Sequence, residues 1–273
     1  MKVAVVGAGV GGLAAAIRLG SAGHDVTVLE RREVVGGKLA SYERDGFRFE
    51  TGPSLLTLPA VFDELLALAG MRLADPLALD PTCTYRFADG TGFRTRRTLE
   101  DTVTEDERLV PGGGTGWRAF PERGRRVWEV SERTFFAGPI ESPASLLGRM
   151  RSPGDLLAID PLPSLGRRAA RTFDDHRLRE WAGRYATYAG SSPYRAPATL
   201  SCIPFIEQEH GCWYLPGGLP TLAAALEQAA LKVGVVVRTG VEVASIRVAS
   251  RRTNPAMPHM TRPTPHRIPQ IER

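Results

Sequence analysis

Lysine is scarce in this chain. Of 35 basic residues only Lys2, Lys38 and Lys232 are lysines, a bias that reads as a high-GC genome rather than a functional choice. The formal charge of +5 is equally uninformative: the last 23 residues hold five arginines against one glutamate, so residues 1–250 contribute only +1. That is no electrostatic footprint for nucleic acid, and no nucleic-acid partner is expected. No apolar run approaches the ~18–20 residues needed to span a bilayer. No charged segment with a cleavage site precedes such a run, so the apolar N-terminus reads as a strand and the cytoplasm is the expected location. The three cysteines, Cys83, Cys202 and Cys212, are scattered without a C-x-x-C or metal spacing, and the five histidines show no ligand spacing. Reduced thiols and no metal site are expected. No Ser-His-Asp or paired-carboxylate constellation is apparent, so no catalytic side chain is assigned. At 273 residues the chain can hold one large domain or two modest ones.

The information sits at the N-terminus, where residues 3–30 read VAVVGAGVGGLAAAIRLGSAGHDVTVLE. An apolar run enters Gly7-x-Gly9-x-Gly11-Gly12, a small-residue helix follows, and a second apolar run ends in Glu30. This is the pattern of a βαβ unit that binds the ADP half of a dinucleotide. Gly7 allows the strand-to-helix turn, Gly9 lets a pyrophosphate approach the backbone, and Gly12 lets the helix lie close to the strand. N–H groups opening the helix face the phosphates with the positive end of the macrodipole behind them. Glu30 can accept hydrogen bonds from a ribose diol. Its charge disfavours a 2′-phosphate, so Arg31 and Arg32 read as a basic flank; Arg31 joins the cofactor-binding candidates.

The next segment, residues 30–54, reads ERREVVGGKLASYERDGFRFETGPS. Gly36-Gly37-Lys38 and the turn Thr51-Gly52-Pro53-Ser54 follow the second strand. Here the chain resembles the phytoene desaturase branch of the FAD-dependent amine oxidase superfamily. In those proteins a GG-[RK] loop and a D/E-x-GP-[ST] turn line the flavin site. The stretches Thr51–Pro59, Tyr188–Ala198 and Gly211–Leu219 carry the same resemblance, which covers nearly all of residues 1–249 and is weakest around 94–116. The resemblance implies FAD as cofactor, with Gly36 and Gly37 in close backbone approach and Lys38 offering charge. It places Gly52, Pro53 and Ser54 at the isoalloxazine level and Val243 beside the adenine, where an ordinary core valine is the competing reading. Trp213 and Tyr214 are candidates to line a substrate channel; plain core aromatics are the alternative.

The expected fold class is α/β: a Rossmann-like FAD-binding domain from residues 1–58 and 211–249, with a largely helical substrate insertion over 59–210. A helix is expected from Pro59 to about Gly70, carrying Val61, Leu65, Leu66 and Leu68 on one face. Thr91 to Gly116 reads as an exposed excursion. Thr221 to Lys232 reads as a helix, Val235 to Val237 as a buried strand and Val241 to Val248 as another. Residues 250–273 hold five prolines and no apolar periodicity and read as an irregular, disordered tail. In the resembled family more sheet and a final βα unit follow, so the C-terminal part is read as truncated or replaced.

The activity implied by the resemblance is removal of hydride and a proton from a long apolar isoprenoid, as in carotenoid desaturases. Two alternatives stay open: another flavin oxidoreductase of the amine-oxidase type, or a non-catalytic remnant or half of a split flavoprotein needing a second polypeptide. Leu146-Leu147, Met150, Leu156-Leu157 and Leu162 alternate with Arg149, Arg151, Arg167 and Arg168. This pattern fits a core face, or peripheral contact with the inner face of a membrane.

Overall fold

The computed structural model describes residues 1–136 and 138–247, in two compact units. The first unit comprises residues 1–77 and 213–247, and the second Ala78–Cys212.

In the first unit, β1 (Lys2–Val6) leads through α1 (Val10–Ser21) to β2 (Asp25–Leu29). The two strands pair in parallel from Lys2↔Asp25 to Val6↔Leu29. Helix α1 buries Leu13, Ala16 and Ile17. Its small residues permit tight packing: a Cβ on Gly20 would lie 2.9 Å from Cγ2 of both Val233 and Val235. An antiparallel hairpin, β3 (Ser41–Arg44) and β4 (Phe47–Glu50), pairs Ser41 with Glu50. Helix α2 (Pro59–Ala67) belongs to this unit and not to the insertion that begins at residue 59 in the sequence reading. Its Leu65 and Leu66 join the core with Leu13, Ile17, Val26 and Val28. Val61 and Leu68, expected on the same buried face, stand exposed; Phe62 packs inward in their place.

The second unit packs its helices around one buried apolar cluster. Helix α3 (Leu99–Glu107) replaces the exposed excursion expected there. Thr98 caps it, accepting a bond from Asp101 N–H, while Val103 is its one buried aliphatic side chain, so hydrophobic periodicity could not announce it. Helix α4 (Gly114–Phe135) follows, then the short α5 (Pro143–Leu147) and α6 (Pro153–Ala158), α7 (Leu165–Thr172), α8 (His176–Gly183) and α9 (Cys202–Glu209). Trp117, Phe120, Leu165, Phe173, Leu178, Trp181 and Tyr185 form the core. Helices α4 and α9 approach closely where a Cβ on Gly124 would sit 2.3 Å from Ser201 O. Buried Asp160 accepts two bonds from Arg168, each 2.8 Å, and lies 3.3 Å from Arg123, the pairing a buried carboxylate requires.

The chain returns to the first unit through a short strand, Trp213–Tyr214, and α10 (Pro220–Lys232), whose Leu222, Leu226, Ala229 and Ala230 complete the core. The last strand, β5 (Val236–Arg238), pairs in parallel with β2, giving the order β1-β2-β5. Val235 just before it is buried, while Val236 is exposed, so the expected buried strand is shifted by one residue and half-exposed. Residues 241–247 form no strand and alternate between exposed and half-buried before turning fully exposed; Val241 N–H donates to Glu30 O (2.8 Å), but among the described residues the pairing does not continue beyond it. Val248 and the 250–273 tail lie outside the described residues.

Candidate functional site

The site is built at the C-terminal ends of the parallel strands, where ligands of open α/β sheets bind. Gly7 ends β1 at φ +96° and its N–H donates to Leu29 O (2.8 Å), which fastens the turn to β2. Gly9 is the N-cap of α1 in extended conformation; no side chain caps the helix and no acidic residue lies in its first turn. The first N–H groups of a helix have no intrahelical partner, and here they are left open to an anion.

Two kinds of glycine make up this turn. A Cβ on Gly9 or Gly11 would meet nothing within 4 Å, whereas one on Gly12 would lie 1.9 Å from Gly7 O. Gly12 therefore serves the helix–strand contact, and Gly9 and Gly11 keep the outer side bare.

Glu30 is buried, and its carboxylate accepts Ala8 N–H at 2.7 Å and Arg32 N–H at 3.0 Å. Those bonds, Arg32's first, hold its carboxyl below the usual carboxylate range and outweigh the cost of burial. The group is an anion at neutral pH, with lone pairs left for hydroxyl donors. Arg31 and Arg32 are exposed beside it.

The Gly36-Gly37 loop lies directly on the first turn. Gly36 takes φ +106°, donates to Ala8 O (2.8 Å) and forms a parallel bridge with Gly9. A Cβ on Gly37 would lie 3.1 Å from Gly9 Cα. Lys38, in a 3-10 turn over Gly37–Leu39, is exposed. The next turn stacks on this one: a Cβ on Gly52 would be 1.9 Å from Lys38 O, and Thr51 N–H and Oγ1 both donate to Ala40 O. Gly52, Pro53 and Ser54 are exposed. Gly9, Gly36–Lys38 and Gly52 thus lie in successive turns stacked on one another, with Gly36 buried against Ala223.

A further contact, between Glu50 and the Gly217-Gly218 turn, has no counterpart among the site residues expected from sequence. Gly217 and Gly218 take φ +85° and +80°, and a Cβ on Gly218 would fall 1.7 Å from Glu50 Oε1. Arg48 donates to Gly217 O (3.0 Å). Glu50 Oε2 is buried without a hydrogen-bond partner among the described residues. Its signal in sequence is the Pro216-Gly217-Gly218 tripeptide inside the Gly211–Leu219 stretch, which carries the family resemblance without naming a site residue within the tripeptide.

The outlying candidates are placed as follows. Val243 is half-buried in the segment that leaves β5; that segment is tied to β2 through Val241 N–H, which donates to Glu30 O (2.8 Å). Trp213 exchanges backbone bonds with Leu56 (2.8 and 2.9 Å) and packs its half-buried ring on the core of this unit; Tyr214 is exposed. These residues together offer an uncapped helix start, two glycines whose outer side carries no Cβ, and an ionised acceptor at the end of β2.

The family model of flavin containing amine oxidoreductases matches residues 10–256. A 4,4′-diapolycopene oxygenase of Methylomonas is 35% identical over 252 residues, covering 90% of this chain and 50% of that protein. A 4,4′-diaponeurosporene oxygenase of Staphylococcus haemolyticus is 30% identical over 251 residues, 90% of this chain and 49% of its own length. The chain therefore spans about half the length of these relatives. Among solved structures, an oxidoreductase from Methanosarcina mazei superposes with a TM-score of 0.57 at 20% identity, over 92% of this chain and 54% of that one, a likeness of fold.

Proposed function

The chain belongs to the family of flavin-containing amine oxidoreductases, and on that premise we propose that it is an FAD-dependent oxidoreductase acting on a long apolar isoprenoid of the carotenoid class. The observation that carries the reading is the pairing of a bare, uncapped helix start at Gly9–Gly12 with the ionised Glu30 at the end of the adjacent strand.

In this reading the N–H groups of Gly11 and Gly12 receive the pyrophosphate, Glu30 accepts from the ribose diol and Val243 flanks the adenine. Gly36 and Gly37 allow close backbone approach, Lys38 contributes positive charge, and Gly52, Pro53 and Ser54 border the ring end. Arg31 sits as a basic flank of the ribose site. When bound, the flavin supplies the hydride-accepting chemistry. The protein's part is to bind, orient and keep water from the reacting carbon. Trp213 and Tyr214 are proposed to line the path of the apolar substrate.

Desaturation is the reaction proposed; oxygenation is the second reading, favoured by the names of the two relatives. We further propose that activity involves a second polypeptide.

A membrane surface is the proposed partner of the second unit. Among the described residues no helix is long and apolar enough to cross a membrane. Helix α5 has no buried residue, and Leu157 and Leu162 are 73% and 90% exposed beside exposed Arg151 and Arg167. Large exposed leucines flanked by arginines suit the inner, anionic face of a cytoplasmic membrane.

The test is equilibrium binding of FAD and of ADP to the purified chain, followed by anaerobic incubation of the FAD-loaded protein with carotenoid-class substrates. Binding of both nucleotides with bleaching of the flavin supports the reading. Absence of binding by either nucleotide overturns the cofactor site, and binding without bleaching directs attention to the second polypeptide.

A further inference from the structure

One buried carboxylate in the second unit serves two tyrosines. Glu207 on α9 is buried; Tyr185 OH donates to its Oε2 at 2.8 Å and Tyr188 OH to its Oε1 at 2.7 Å. The two rings stack with centroids 6.0 Å apart and planes at 29°. Tyr185 is buried against Trp181, 5.6 Å away, and Trp181 lies 4.1 Å from Trp117. At the other end Tyr188 is 55% exposed. Arg184 lies 3.5 Å from Glu207 Oε2 and 4.4 Å above the Tyr185 ring, which keeps the carboxylate paired in the interior.

Packing accounts for the aromatic core, but not for the convergence of two phenols on the two oxygens of a single carboxylate. Nor does it account for the unbroken succession of oxidisable rings from the centre to the surface. We infer that Trp181, Tyr185 and Tyr188 form a one-electron relay from the interior to solvent, with Glu207 as the shared proton acceptor of both phenols.

The steps balance as follows. An outer-sphere one-electron oxidant, of the class of oxygen-derived radicals, takes an electron from the Trp181 indole and is itself reduced. Tyr185 returns an electron to the indole; its O–H bond breaks and the proton passes to Glu207 Oε2. Tyr188 then reduces the Tyr185 phenoxyl: the Tyr188 proton passes to Oε1 while the first proton returns from Oε2 to Tyr185. The oxidised site is now the exposed Tyr188, where a one-electron donor in solution, such as a thiol or an ascorbate-type enediol, restores the phenol as the proton leaves Glu207. The resting phenols keep their protons, because burial, and after it the Glu207 charge, raise both well above the usual tyrosine range.

The experiment is laser photoionisation of tryptophan in the full chain, followed by transient absorption. The wild type should show an indole radical cation decaying into a phenoxyl radical in a phase independent of protein concentration. Trp181→Phe should abolish that phase. Tyr185→Phe, which keeps the ring and its packing, should do the same. Glu207→Gln should suppress phenoxyl formation, since the amide takes no proton. Tyr188→Phe should leave a phenoxyl on Tyr185 that solution thiol quenches far more slowly. A concentration-independent phase unchanged in Tyr185→Phe overturns the relay, whether or not the Glu207 variant folds. An unchanged phase in folded Glu207→Gln overturns the role of the carboxylate.

Discussion

Ala8 N–H and Glu30 Oε2 lie 2.7 Å apart. This bond joins the end of β1 to the end of β2, and it makes one carboxylate answerable both for the strand ends and for the proposed ribose contact.

Replacing Glu30 with alanine should therefore be felt twice. Loss of a charge-assisted acceptor should weaken ADP and FAD binding by about 1–3 kcal/mol, and the unpaired Ala8 N–H should cost the fold about 1–3 kcal/mol. Titration calorimetry and urea denaturation read the two effects separately. Unchanged affinity for both nucleotides in a folded Glu30→Ala protein would remove Glu30 from the site.

Glu30 also predicts an acid limb of stability. Its carboxyl lies lower in the folded state than in the unfolded chain, so its contribution is present above the unfolded value of about 4.3 and disappears as pH falls through the folded value. Asp175, held down to about 2 by Arg177, acts in the same sense in the second unit. Denaturation midpoints across pH 2–6, a range of about four units around these values, should fall more steeply for the wild type than for Glu30→Gln.

Asp106 should behave with the opposite sign. Burial pushes its carboxyl up to about 6, so ionisation above that value works against the folded state, and stability rises as pH falls from there toward the unfolded value. Asp106→Asn should be more stable than the wild type at neutral pH, with the gap closing in acid. A variant less stable at neutral pH would contradict this.

The glycines of the first turn separate folding from binding. Gly9→Ala and Gly11→Ala place a methyl group in open space and should shift stability by no more than about 1 kcal/mol. They should nonetheless abolish ADP binding. Gly12→Ala must displace Gly7 O, and should destabilise by about 1–3 kcal/mol or more. Thermal melts with and without ADP distinguish the two classes.

On the second unit, Leu157→Asp and Leu162→Asp should lower partition onto vesicles of phosphatidylglycerol. Each change removes a side chain worth about 1.5–3 kcal/mol when buried and adds a charge that anionic lipid repels. Retained flotation with such vesicles in the double variant would exclude this surface.

The legibility of the sequence follows from the physics of each segment. The stretch from β1 to β2 could be read because glycine spacing, strand period and a terminal acid all report on the same local geometry, and the structure builds that geometry from Gly7, Gly12 and Glu30. Helix α3 shows no hydrophobic period because a single valine carries its buried aliphatic contact; the Thr98–Asp101 cap is its local signal. Val61 and Leu68 were placed inward by their hydrophobicity alone, and tertiary packing chose Phe62. Glu50 and Gly218 were out of reach for a different reason: they are 168 positions apart, and only folding brings the carboxylate to the missing Cβ.

The contacts at Gly12, Gly52 and Gly124 share one property with a practical result. In each, the obstacle to a side chain is a main-chain carbonyl oxygen, at 1.9, 1.9 and 2.3 Å, and a carbonyl cannot swing aside as a rotamer can. Mutagenesis libraries should leave these three codons untouched, whereas bulk added at Gly9 or Gly11 spares the scaffold and tests the proposed cofactor site by itself.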